Sequence, residues 1–66
     1  MEWIEKVKVE KSELDARILR LEGALRAPAG IPAEQLDIMR RQVGYMRAYS
    51  STLKERLEMA GVAHAC

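Results

Sequence analysis

Sixty-six residues make at most one small domain, with 11 basic and 10 acidic side chains and a net charge of +1. A chain this short buries only about 60% of its unfolded surface and usually needs disulfides, a metal or partner subunits. Its one cysteine, Cys66, excludes an internal disulfide. His64 and Cys66 are too few for a structural zinc site. Association with further copies is the remaining staple. The near-neutral charge also argues against a general nucleic-acid coat.

Helix 1 is expected from about residue 2 to 26. Ile4, Val7, Lys11, Leu14, Ile18, Leu21 and Leu25 recur at alternating steps of three and four, the seam of a coiled coil. Its acids and bases, six of each through Arg26, interleave at helical spacing as a salt-bridged, solvated face. Trp3 is expected to cap the open end of the hairpin or an oligomer contact. A Pro/Gly break at 27–31 follows. Helix 2 is then expected from Pro32, well placed as a first helical residue, to about Ala60. Glu34 and Asp37 suit the positive end of its dipole. Leu36, Met39, Val43, Met46, Ser50, Leu53, Leu57 and Ala60 form its seam. Gly61 stops it, and residues 61–66 are expected to be a frayed tail.

Folding the chain at the break, so that Leu25 faces Leu36, sets an antiparallel register. Leu21 then meets Met39, Ile18 meets Val43, Leu14 meets Met46, Val7 meets Leu53 and Ile4 meets Leu57. Lys11 and Ser50, the one polar residue of each seam, fall opposite each other. Such a layer either pins register or lets Lys11 help hold an anion. The fold class is therefore all-α: an antiparallel, coiled-coil-like two-helix hairpin, one domain over residues 1–66, assembling into a homo-oligomeric helical bundle.

Helix 2 carries a second stripe, Ile38, Gln42, Tyr45, Tyr49, Thr52, Arg56 and Met59, with no equivalent on helix 1. Subunits are expected to meet through it. Gly44 either permits that approach or sits on an exposed face. Between Asp37 and Glu55 stand four bases and no acid. Tyrosine offers a stacking face and a hydroxyl, and arginine a planar fork for phosphate. Aromatics interleaved with arginine suit a nucleotide-like molecule, although the same residues also suit a protein interface. The candidate ligand-binding residues are Tyr49, Arg56, Gln42, Tyr45, Arg47 and Lys11.

No constellation for catalysis is present: there is no P-loop, glycine-rich nucleotide motif or Glu-x-x-His pair, and His64 and Cys66 fall in the tail. No enzyme activity and no cofactor are expected. The charged first ten residues exclude a signal peptide, and no apolar run approaches the roughly 20 residues of a membrane span. The lone thiol suits a reducing, cytoplasmic setting.

One longer pattern adds to this. Val9-Glu10-Lys11-Ser12-Glu13-Leu14-Asp15-Ala16-Arg17-Ile18 leads to Leu21, the break and Ala33-Glu34-Gln35. Arg41-Gln42, Met46-Arg47-Ala48-Tyr49-Ser50 and Leu53-Lys54-Glu55-Arg56-Leu57 follow. Over residues 7–57 this resembles a family of very small bacteriophage-encoded helical-hairpin proteins. It departs from the family in having Arg17 for the usual lysine, Leu57 for isoleucine, and a longer tail. Packing alone does not demand Glu10, Gln42, Tyr49 or Arg56. By analogy with small phage counter-defence sponges, the resemblance implies a protein of the infected bacterial cytoplasm. It would hold a nucleotide-derived immune messenger, such as a cyclic oligonucleotide or an ADP-ribose derivative. The alternative is an oligomeric protein that docks a host or phage protein through the same face.

Overall fold

The computed structural model describes residues 2–62. The expectations for His64, Cys66 and the rest of 63–66 lie outside them. Two helices, α1 (Glu2–Arg26) and α2 (Ala33–Met59), pack against each other as a hairpin. Three contacts between them run in opposite order along the two helices: Trp3 with Arg56, Asp15 with Ser50, and Glu22 with Arg47. The helices are therefore antiparallel.

The turn is built from the break residues. Ile31 N–H donates to the Pro28 carbonyl at 3.0 Å, and Gly30 takes φ +84°, the conformation a type II turn requires at its third position. Pro32 is not the first helical residue. Its ψ of 145° places it outside the helix as the cap, while its carbonyl accepts from Leu36 N–H at 3.1 Å. Proline fits because a cap needs no N–H of its own.

The seam residues form the core. Val7, Leu14, Ile18, Val43, Leu53 and Leu57 are buried, with Leu53 only 1% exposed. Ile4 and Met46 pack against this cluster. The last expected seam position, Ala60, is exposed and lies beyond the helix end. In its place the chain turns back. Gly61, at φ +79°, donates to the Glu58 carbonyl at 2.9 Å, and Val62 N–H donates to the Leu57 carbonyl at 3.0 Å. This is a Schellman closure, which characteristically brings the residue after the glycine onto the final turn. Val62 is accordingly half-buried against the core, so the fraying expected from residue 61 does not begin there.

The glycines divide by conformation. Gly61→Ala places a Cβ in the left-handed region and is expected to cost about 1 kcal/mol. Gly44 is helical, exposed, and has open space where a Cβ would stand, so packing within the hairpin does not require a glycine there. Gly44→Ala should stabilise by up to about 1 kcal/mol through helix propensity. Thermal melts of the two variants should shift in opposite directions.

Candidate nucleotide-binding face

The hairpin has two unlike broad faces. On one, polar groups tie the helices together. Lys11 Nζ lies 2.8 Å from Asp15 Oδ2, and Ser50 Oγ donates to Asp15 Oδ1 at 2.5 Å. The two seam interruptions do share a layer, but they meet through Asp15 rather than directly. Asp15 is therefore not a merely solvated acid; it is half-buried and joins both helices. Asp15 stands one helical turn beyond Lys11, so its carboxylate reaches back along α1 as well as across to α2. About two turns further along α1, Glu22 pairs with Arg47. Asp15, Ile18, Leu19, Arg47 and Ser50 border a shallow hollow of about 330 Å³ on this side.

The Asp15 carboxyl is held below its usual value, first by the hydrogen bond from Lys11 and then by that from Ser50, while burial opposes both. A folded-state pKa below the unfolded one adds stability at pH values above the unfolded pKa. That stability is lost as pH falls through the folded pKa. Asp15→Asn should therefore lower stability near neutrality and flatten the acid limb of the stability–pH curve. Because Asp15 is part-exposed the effect is modest, about 1 kcal/mol. Urea midpoints from pH 2 to 7 measure it.

The opposite face carries the α2 stripe. Ile38, Arg41, Gln42, Tyr45, Met46 and Tyr49 border an open groove of about 500 Å³. Tyr45 is 73% and Tyr49 45% exposed, far more than core packing would leave. The groove has an apolar floor, two phenol rings for stacking, an amide and a guanidinium. Thr52, further along the stripe, donates its hydroxyl to the Ala48 carbonyl at 2.9 Å and so has its proton committed.

The six candidate residues do not converge. Gln42, Tyr45 and Tyr49 share the groove. Arg47 stands two positions from each tyrosine, and residues two apart point to different sides of a helix, so it faces Glu22 on the tied side. Lys11 is committed to Asp15. Arg56 is on the groove side but at the open end, its Cζ 5.7 Å from the centre of the Trp3 ring, within cation–π range. Trp3 thus does meet the end of α2, through Arg56. The groove's own cation is Arg41, which is not among the six candidates; its three- and four-residue spacing to Ile38 and Tyr45 is the signal that could have placed it. On α1, Val9 and Leu19 are also exposed, so apolar exposure is not confined to helix 2.

Among the described residues there is no cluster of three or more metal-ligating side chains. No described helix is long and apolar enough to cross a membrane. Comparison with curated proteins and with solved structures gives no match. A family model does match, over residues 1–59, which takes in both helices, the turn and every residue of the groove. The chain belongs to the Sequestin family.

Proposed function

We propose that this protein is a phage counter-defence sponge: it binds a nucleotide-derived immune messenger, a cyclic oligonucleotide or an ADP-ribose derivative, and withholds it from its effector without catalysis, in the cytoplasm of the infected cell. The observation that carries the reading is the tyrosine–arginine groove on α2. The family's name, which speaks of sequestration, supports it. Tyr45 and Tyr49 stack on base or ribose, Gln42 bonds to polar edges, and Arg41 meets phosphate. Arg47 and Lys11, engaged on the other face, serve the hairpin rather than the ligand. A single hairpin offers the ligand one open wall, so the binding unit is a homo-oligomer with the ligand held between copies.

Native mass spectrometry tests this with cyclic dinucleotides, cyclic trinucleotides and cyclised ADP-ribose. A discrete mass shift, with a whole number of ligands per oligomer, is expected for one class of the panel. No shift across the panel, together with capture of a single defined protein by the same face, would replace the sponge with the docking reading.

A further inference from the structure

We propose that a second copy of this chain packs face to face on the tyrosine side, antiparallel, about a two-fold axis that crosses α1 near residue 14 and α2 near residue 47. In this arrangement α1 lies over α1 and α2 over α2, and each groove is completed by Arg56 of the second copy.

Two strips of the same face require the same axis. The contact of Trp3 with Arg56 puts both residues on one broad side. Steps of three and four from Trp3 carry that side along α1 through Lys6, Glu10, Glu13 and Arg17; from Arg56 they carry it along α2 through Tyr49, Tyr45, Gln42 and Ile38. Glu10, Glu13 and Arg17 are exposed and form no ion pair among the described residues, whereas Asp15, Glu22 and Arg47 on the other face are all engaged. An antiparallel two-fold at residue 14 lays Arg17 of the second copy between Glu10 and Glu13. The seam places residue 14 level with residues 46 and 47. The same axis therefore crosses α2 between the tyrosines and lays Tyr45 over Tyr49 of the second copy. Charge complementarity on α1 and aromatic pairing on α2 are independent features, and both select this level.

The size also fits. The hairpin measures 44 × 18 × 14 Å, so one broad face offers on the order of 800 Å², the share one partner gives to a standard interface. The axis further brings Arg56 of the second copy level with Ile38. Each groove then has two cations, Arg41 and the incoming Arg56, and the dimer has two equivalent sites. This last point rests on the proposed function; the dimer itself does not.

The test is made without ligand. Wild-type protein should sediment as a dimer. Arg17→Glu alone, and Glu10→Arg with Glu13→Arg alone, should each weaken the dimer about tenfold or more while circular dichroism stays helical. Mixed one to one, the two variants should form a heterodimer, because positions 10, 13 and 17 are then all acidic in one chain and all basic in the other. Spin labels at Ala29→Cys, in a Cys66→Ser background, should lie near 44 Å apart, at opposite ends of the pair. A wild-type monomer, variants that dimerise unchanged, a mixture that fails to pair, or labels close together would each overturn the proposal. A ligand-free dimer that binds nothing in the nucleotide panel would leave this arrangement standing and remove only the sponge. A monomer that binds nucleotide would do the reverse.

Discussion

Leu53→Ala is expected to abolish most of the helical signal at room temperature. Leu53 is the most buried side chain of the hairpin and lies among Val7, Leu57 and the half-buried Ile4 and Val62. Truncating a buried leucine costs about 2–5 kcal/mol. A 66-residue chain has a total stability of only about 3–10 kcal/mol, so the loss is comparable to the whole. Two helices have no third layer that can collapse into the vacancy, which puts the cost toward the upper end of that range. Leu19→Ala is the control. Leu19 is exposed on α1, and its truncation should change the melt little. Circular dichroism at 222 nm on the two variants gives the comparison, and equal behaviour would mean that the seam does not carry the fold.

Tyr49→Ala and Tyr45→Ala are expected to leave the hairpin helical and to reduce affinity for the proposed nucleotide ligand by about tenfold each, from base stacking of about 1–3 kcal/mol per ring. Neither ring is needed by the core, since both are largely in solvent. Arg41→Ala should lower affinity further and reduce its salt dependence, because a phosphate contact is lost. Arg47→Ala separates this arrangement from the one read along the chain. It removes the pairing with Glu22, so stability should fall slightly while binding is retained. Isothermal titration of all four variants decides it. Binding lost with Arg47→Ala but kept with Tyr49→Ala would move the site to the tied face.

The seam was legible because a three-and-four spacing of apolar residues has one geometric meaning, and the coincidence of Lys11 and Ser50 in one layer followed from register alone. The identity of the bridging group was not. Asp15 is one turn from Lys11 and outside the seam, and periodicity does not say which flanking side chain bends inward to meet a polar layer. Val62 escaped for a similar reason: its packing depends on the left-handed turn at Gly61, which reverses the chain after the periodic pattern has stopped. Arg47 is close in sequence to the tyrosines, but a spacing of two turns it to another side of the helix, where it pairs with Glu22. Arg56 lies on the side the stripe indicated, but its engagement with Trp3 needed the hairpin to bring the two helix ends together. The groove's residues were readable as a stripe, and their openness to solvent followed only once α1 was seen to cover the other side.

The Asp15 bridge also bears on how a two-helix coil keeps its alignment. Repetitive apolar seams tolerate sliding, since moving one helix past the other by a heptad again sets hydrophobe against hydrophobe. Such a slip here would bring Asp15, with the ammonium it holds, against Val43 or Leu57, and would leave Ser50 facing only hydrocarbon. A shifted hairpin would therefore carry an unsatisfied hydroxyl and a poorly solvated charge in exchange for apolar contacts no better than before. One hydrogen bond between the helices thus acts as a ratchet pawl: it adds little to the strength of the grip, but it admits a single tooth.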